Sequence, residues 1–417
     1  MAITKALRQQ KTLSPPSALV VIGLAVFTLV VVTTRFAIAE VGIIVALIGL
    51  LLRPGDLRFP APFWWAMGLV AWAFATAPFS LHPEIAQQVA IERLKVFVVF
   101  LVVVNTLRTG RYLRRYCLFI LVCFLLFPVR GTIEDFIGGN TLFGRAIWRK
   151  LYENPNDLAA IFLLAFGLAI SVVAIKQERA RIRFGVAVLS LTMFVVILLT
   201  QSRGVFIGLV LGMGPASLGT VWKRPALVFG VVVLVGLGGV MMPDAVWTRL
   251  SGISKLTSTA TIAQADPEGS AAQRWEINKT AFRIFKDHPV TGIGIGCYPW
   301  ANRLYAPKLG LRDTHDTYMN LAVELGVPGL LLWLGMIASV LRRWRRANSA
   351  HAGDALPIQA AWIDRAVIGF LVAGFFGTYS GITMLYLMLG ILWSAAILLE
   401  HTAAGQGSQM SPAVRAL

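Results

Sequence analysis

The chain is a succession of apolar stretches, and their length constrains the fold more than any other feature. A helix of about 20 apolar residues spans the hydrocarbon core of a bilayer. Only 14% of the residues are charged and 57% are apolar, whereas about a quarter of a soluble domain is charged. The sequence therefore predicts an all-α polytopic membrane protein. About twelve transmembrane helices are predicted, at roughly 16–34, 36–52, 62–79, 86–107, 116–130, 157–175, 184–201, 204–221, 225–242, 317–341, 365–383 and 385–400.

Lysine and arginine gather at one side of these predicted helices and so give the orientation. Basic clusters at 108–115, 176–183 and 342–346 follow the fourth, sixth and tenth helices. Because basic residues keep short loops in the cytoplasm, both termini are predicted to be cytoplasmic. The predicted regions are 1–242 with helices 1–9 and an outer loop at 130–156, the large outer loop 243–316, 317–400 with helices 10–12, and a cytoplasmic tail at 401–417.

The net charge of +18 reflects 38 Lys and Arg against 20 Asp and Glu. In a soluble protein this excess would suggest nucleic acid as a partner, but in a membrane protein roughly half of the basic residues serve orientation. The remainder lie in the predicted outer loops, where orientation does not require them. We expect this surplus to attract an anionic substrate.

Arg203 lies at the outer tip of a tight hairpin, in the segment Thr200–Gly204 between two apolar helices. The planar guanidinium binds phosphate or carboxylate oxygens in a bidentate manner. The alternative is an interfacial arginine that reaches lipid head groups.

His315 lies where the large outer loop re-enters the membrane. Its ordinary pKa of about 6.5 suits a general base that takes a proton from a hydroxyl near neutral pH. Asp313 or Asp316 is expected to orient the ring. The alternative is that Asp313, Thr314 or Asp316 only caps the next helix.

The segment Arg274–Asp287 within the large outer loop predicts an amphipathic helix that lies on the bilayer or caps the bundle. Its apolar side is predicted to hold Trp275, Ala281, Phe282, Ile284 and Phe285. A basic ridge for an anionic ligand is predicted from Arg274, Lys279, Arg283 and Lys286, although solvent exposure explains the two lysines equally well.

Two further motifs have structural interpretations. The segment Tyr152–Asp157 opens the sixth helix, and an N-cap at Asn156 or Asp157 explains it as well as a direct role in the site. The glycines of 292–296 resemble a nucleotide fingerprint, but no strand-helix unit surrounds them. A close-packed turn is therefore predicted there.

No metal or cofactor is predicted. The five histidines are dispersed, and Asp266 with Glu268 is the acidic pair at which a divalent ion would be sought.

The order of these motifs resembles the O-antigen ligase and polymerase superfamily of bacterial envelope glycosyltransferases. The resemblance covers roughly residues 150–335 and rests on Glu153–Asn156, Ser202–Gly204, Arg274–Trp275, Pro289–Gly294, His315–Tyr318 and Glu324–Gly329.

This resemblance implies a GT-C-like enzyme of the bacterial inner membrane with its active site facing the periplasm. Such an enzyme transfers a glycan from undecaprenyl pyrophosphate to an acceptor, without a metal and with inversion. In ligases the acceptor is the lipid A core oligosaccharide, in polymerases it is another lipid-linked repeat unit, and some relatives use protein hydroxyls. The ligase is preferred here because of the single large outer loop with its helix.

The resemblance also assigns roles to residues. Arg203 and Arg274 correspond to pyrophosphate-binding arginines and His315 to the essential histidine and general base. Asp316 stands where many relatives have Asn, and this difference is expected to alter the orientation and basicity of the His315 ring. The wider substrate-binding set is Arg203, Arg274, Arg283, Asn154, Asp316 and Tyr318.

Two alternatives remain. A polymerase would use a second basic outer loop, for which Arg145, Arg149 and Lys150 are candidates. A non-enzymatic lipid or solute transporter is also compatible with twelve helices, although transporters place their charges near the midplane of the membrane.

Overall fold

The computed structural model describes residues 16–33, 38–221, 270–351 and 356–407, and within these the chain is almost wholly helical. Helices α1 to α6 are Ala18–Thr33, Ile38–Leu51, Ala61–Thr76, Pro83–Thr106, Gly110–Phe124 and Arg130–Ile137. A β-hairpin follows, with strands β1 Thr141–Leu142 and β2 Arg145–Ala146. Helices α7 to α14 are Pro155–Val173, Ala180–Leu199, Arg203–Val221, Ser270–Asp287, Tyr298–Tyr305, Thr317–Ala350, Ala361–Ala373 and Thr383–Gly407.

The protein is an all-α multi-pass membrane protein. Each predicted transmembrane stretch that lies in the described residues overlaps a helix. The predicted stretch at 365–383 is too long, because its α-helix ends at Ala373. Within those residues five helical segments are long and apolar enough to cross a membrane, at 110–137, 155–173, 180–199, 317–350 and 383–402. The predicted helix at 225–242 lies outside the described residues.

Helices α7 and α14 form the centre of the bundle. Almost every residue of α7 from Leu158 to Val172 is buried, and so is the stretch of α14 from Leu385 to Leu399. This burial shows that other helices, rather than lipid, surround α7 and α14 on nearly all sides. These two helices therefore give the bundle its core, against which the others pack.

Glycines allow close helix contacts in this bundle. A Cβ at Gly208 or Gly212 of α9 would collide with the backbone of α13 at Gly369 or Arg365. A Cβ at Gly23 of α1 would likewise collide with the backbone of α2. Small residues let helix backbones approach closely, which is how van der Waals contacts hold helices together in lipid.

One end of the bundle, which we call the loop face, is formed by 125–156, 270–316 and 374–382. The opposite end, the basic face, carries the arginine clusters at 108–115, 176–183 and 342–346. Salt bridges join helix ends at the basic face, including Arg114 to Glu178 at 2.6 Å and Arg343 to Glu400 at 2.6 Å. The loop face holds the residues that the sequence singles out as candidates for chemistry.

Candidate functional site

His315 occupies a sharp turn immediately before α12. Its φ of 51° is unusual for a residue with a side chain. The Asp316 carboxylate accepts the N–H groups of Tyr318 and Met319 at 2.9 and 3.0 Å and so caps α12. The Thr314 hydroxyl donates to the Asp316 carbonyl at 2.9 Å. These bonds hold the imidazole in its strained position at the loop face.

The surroundings of His315 favour its neutral form. Burial lowers the pKa of His315 below its ordinary value, and the positive charge of Arg274 lowers it further. Arg312 acts in the same direction, while Asp313 opposes it. A neutral imidazole can accept a proton, so this environment suits a general base.

The two carboxylates beside His315 have different tasks. Asp316 is used for capping, as the structural alternative predicts. Asp313 accepts the N–H of Thr314 at 2.7 Å and the side-chain amide of Asn320 at 3.4 Å, and its charge acts on His315. Asp313 is therefore the carboxylate that supports a positively charged imidazole.

The segment between α13 and α14 forms part of the site, which the sequence interpretation missed. The Thr317 hydroxyl donates to the Gly377 carbonyl at 2.6 Å and accepts the Tyr379 N–H at 2.8 Å. The hydroxyl of the buried Tyr379 donates to the Asn156 carbonyl at 3.3 Å. Tyr379 thus connects the start of α7 to the start of α12.

Arg145 is a second residue whose role the sequence did not reveal. Its guanidinium donates to the Thr200 carbonyl at 2.8 Å and to the side-chain oxygen of Asn156 at 2.7 Å. The Gln201 amide donates to the Gly144 carbonyl at 3.3 Å. The β-hairpin is thereby fixed to the turn that precedes Arg203.

Two arginines of the site act on Tyr379. Arg274 of α10 and Arg145 both act electrostatically on its hydroxyl, and Arg274 also acts on His315. Arg203 is the first residue of α9 and lies two residues after Gln201, whose φ is 53°. The arrangement combines guanidinium groups with a neutral imidazole, which can stabilise a developing oxyanion and accept a proton.

Other predicted residues make structural contacts. The predicted N-cap of α7 at Asn156 or Asp157 is wrong: the Asn154 side chain accepts the Asn156 N–H at 2.9 Å and Pro155 occupies the first turn. The Tyr318 hydroxyl donates to the Leu371 carbonyl at 2.7 Å. Direct substrate binding by Asn154, Asp316 or Tyr318 stays a prediction.

The amphipathic helix is present as α10, but its buried face differs from the predicted one. Ile277, Ala281 and Ile284 pack into the bundle, whereas Trp275 and Phe282 are 50% and 47% exposed. The spacing of four and three residues places the first three on one face.

The basic residues of α10 after Arg274 lie away from this buried face. Lys279 lies over the Trp275 ring at 5.6 Å and Lys286 over the Phe282 ring at 4.7 Å. These contacts agree with solvent exposure for the lysines. Arg283 is also exposed, and its predicted role in substrate binding stays a prediction.

The glycines of 292–296 form the predicted close-packed turn. Gly292, Gly294 and Gly296 have φ values of 67°, 100° and 79°. The Gly294 N–H donates to the Glu324 carbonyl at 2.9 Å, and a Cβ at Gly292 would collide with the same backbone. The Tyr298 N–H donates to the buried Glu324 carboxylate at 3.2 Å. The turn thus anchors the loop to α12.

An apolar cavity of about 340 Å³ opens beside the site. Asp157 lies on its wall and also acts electrostatically on Tyr379. The other walls are mostly aliphatic, from Val31, Val32, Leu151, Ile161, Met384 and Leu387 among others. Asp157 is thus a polar group on the wall of a mostly apolar cavity and also acts on Tyr379 of the site.

Within the described part of the chain, no group of three or more His, Cys, Asp or Glu side chains is arranged to hold a metal ion. Asp266 and Glu268 lie outside the described residues.

One of the comparisons with known proteins found a match. No curated protein matches the chain. The family model described as O-Antigen ligase matches residues 188–334, a range that includes Arg203, Arg274 and His315. This match supports membership of the O-antigen ligase superfamily.

Proposed function

We propose that the protein transfers a glycan from undecaprenyl pyrophosphate to the lipid A core oligosaccharide, on the periplasmic side of the bacterial inner membrane. Membership of the superfamily supports a ligase or polymerase type of glycan transfer. The observation that carries the proposal is that Arg274 acts electrostatically on the buried His315 and lowers its pKa, because this combines a cation with a group that can accept a proton.

The proposed reaction is a single displacement. The acceptor hydroxyl attacks the anomeric carbon, the bond from that carbon to the pyrophosphate oxygen breaks, and the configuration inverts. His315 takes the hydroxyl proton, and Asp313 stabilises the resulting imidazolium. Arg203 and Arg274 bind the pyrophosphate, whose negative charge increases as it leaves. The sugar-phosphate bond supplies the energy, so no cofactor is required.

The test uses purified protein in liposomes with a lipid-linked glycan, with and without lipid A core. Glycan attached to the core supports the ligase, whereas a longer lipid-linked glycan in the absence of the core shows a polymerase. Glycan on protein hydroxyls would show a protein O-oligosaccharyltransferase. Movement of the lipid without any covalent product would show a transporter and refute the proposed chemistry.

Single variants then test the site. We expect Arg203→Ala, Arg274→Ala and His315→Ala each to abolish transfer while thermal unfolding stays close to that of the unchanged protein. Arg303→Ala is a matched control, because Arg303 is an exposed arginine of the loop face on α11. Full activity of the His315→Ala protein would exclude His315 as the base.

A further inference from the structure

A second cavity on the loop face, of about 550 Å³, lies beside the segment that carries Arg145. Binding sites for small molecules usually fall in the range of about 300–1,000 Å³. We call it the hairpin cavity. Its walls include Leu126, Phe127, Arg130, Asp135, Arg149 and Lys150.

The hairpin cavity has an apolar wall and a charged wall. Leu126 and Phe127 belong to the helical segment 110–137, which is long and apolar enough to span the membrane, and they are 51% and 39% exposed. The opposite wall carries Arg149 and Lys150, both exposed. A ligand that fits both walls has a polar headgroup, which meets the charged wall, and a lipid part, which meets the apolar wall and holds the ligand at the membrane surface.

The charged side chains of the cavity form pairs that present planar hydrogen-bonding groups. Arg130 meets Glu134 at 2.6 Å, and Arg149 meets Asp135 at 3.2 Å. Three of these four side chains are at least 60% exposed, and exposed ion pairs contribute only about 0–1 kcal/mol to stability. Stability alone is thus a weak reason for these pairs.

Guanidinium and carboxylate groups have another use in this arrangement. A guanidinium offers several N–H donors in one plane, and a carboxylate offers two acceptor oxygens. Adjacent hydroxyls of a sugar ring can accept from the first and donate to the second. With Lys150 included, the charged groups that line the cavity sum to one positive charge, so phosphorylated or acidic sugars are also accommodated.

The hairpin cavity is connected to the candidate site through the segment 145–156. Trp148 is 3% exposed and lines the cavity, and its backbone pairs with that of Tyr152 at 3.0 and 2.8 Å. Three residues earlier, Arg145 reaches Thr200 and Asn156. A glycan seated on Trp148 therefore lies next to the segment that borders the proposed catalytic centre.

We propose that the hairpin cavity binds a sugar unit of a membrane-anchored glycolipid. The inference rests on the proposed function, because only glycan transfer between lipids brings such a ligand to this face. The ligand belongs either to the acceptor or to the donor, which share the same chemistry of sugar hydroxyls and lipid-bound anions. The kinetic constants for the two substrates distinguish these sources.

The kinetic test varies the donor and the acceptor separately in the liposome assay. Arg149→Gln and Lys150→Gln each remove charged donors, and we expect at least one of them to raise the KM for one substrate about tenfold, with kcat changed by less than about twofold. A raised KM for lipid A core assigns the cavity to the acceptor, and a raised KM for the lipid-linked glycan assigns it to the donor. Arg303→Gln is the matched control and should leave both constants unchanged. If both cavity variants also leave both constants unchanged, the proposal is refuted.

A binding measurement tests the cavity without requiring transfer. Saturation-transfer NMR on the detergent-solubilised full chain should detect the free core oligosaccharide or the free donor glycan, and the signal should fall in the Arg149→Gln and Lys150→Gln proteins. If the unchanged protein binds a glycan at this cavity but transfers none, the proposed function fails and the cavity stands. If transfer proceeds while the variants bind both glycans as the unchanged protein does, the cavity assignment fails and the function stands.

Discussion

Removal of Arg145 should impair glycan transfer although no substrate contact is assigned to it. Its guanidinium holds the Thr200 carbonyl and the Asn156 side chain at 2.8 and 2.7 Å. Thr200 is the C-cap of α8, and the turn that begins there leads to Arg203 within three residues. In the Arg145→Ala protein this turn loses its connection to α7.

The size of the effect follows from these two bonds. A hydrogen bond to a charged group contributes about 1.5–3 kcal/mol, and part-buried oxygens left without a donor carry a desolvation cost. Two bonds at the lower value give about 3 kcal/mol. If loss of these bonds misplaces Arg203 and the whole of about 3 kcal/mol is lost from stabilisation of the transition state, the rate falls about a hundredfold, because about 1.4 kcal/mol corresponds to a factor of ten.

The assay compares kcat and KM for the lipid-linked glycan in the Arg145→Ala, Arg145→Lys and unchanged proteins. Lysine keeps the charge but lacks the planar fork that reaches two oxygens in fixed directions, so Arg145→Lys should recover only a small part of the rate. Arg303→Ala controls for loss of an arginine on this face. A rate within about threefold of the unchanged protein for Arg145→Ala, at equal thermal stability, would refute the positioning role.

Three further predictions concern His315, the glycine turn and metal dependence. The His315 imidazole must be neutral to act as the base, and its pKa lies below the ordinary value, so kcat/KM should fall only as the pH drops below about 6.5. Arg312→Gln removes a charge that lowers this pKa and should move the acidic limb of the pH profile to higher pH. An acidic limb that stays in place would contradict this effect of Arg312. Gly292→Ala should lower the Tm more than Gly310→Ala. The two positions have similar φ values of 67° and 69°, but only at Gly292 would a Cβ collide with backbone atoms. Equal Tm values for the two variants would show that this close contact is unimportant. Finally, EDTA should leave the transfer rate unchanged, and loss of activity that Mg²⁺ or Mn²⁺ restores would overturn the metal-free prediction.

The positions of the helices could be predicted because apolar length is a local property of the chain. Their ends could not, because charged residues do not stop a helix that leaves the bilayer. Helix α12 continues through Arg342–Arg346 to Ala350, past the predicted end at 341. There Arg343 pairs with Glu400 and lies over the Trp393 ring at 4.4 Å. These partners belong to α14, so the local sequence gives no sign of them.

The candidate site could be predicted only in part for the same reason. The motifs around His315 and Arg203 are local and recognisable, and the cap at Asp316 follows from its place before a helix. The contact of Arg145 with Thr200 joins residues 55 positions apart, and the contact of Tyr379 with Asn156 joins residues 223 positions apart. Such contacts depend on how the helices pack, which one sequence without its fold does not reveal.

The net charge of +18 is a poor guide to the local charge of the site, because carboxylates lie among its arginines. Asp313 acts on His315 together with Arg274, and Asp157 acts on Tyr379 together with Arg274 and Arg145. Only interactions that are stronger in the transition state accelerate a reaction. Under the proposed function, the arginines stabilise the negative charge that grows on the leaving oxygen. The carboxylates oppose the binding of every anionic species at the site, so they limit how tightly the product pyrophosphate is held and favour its release.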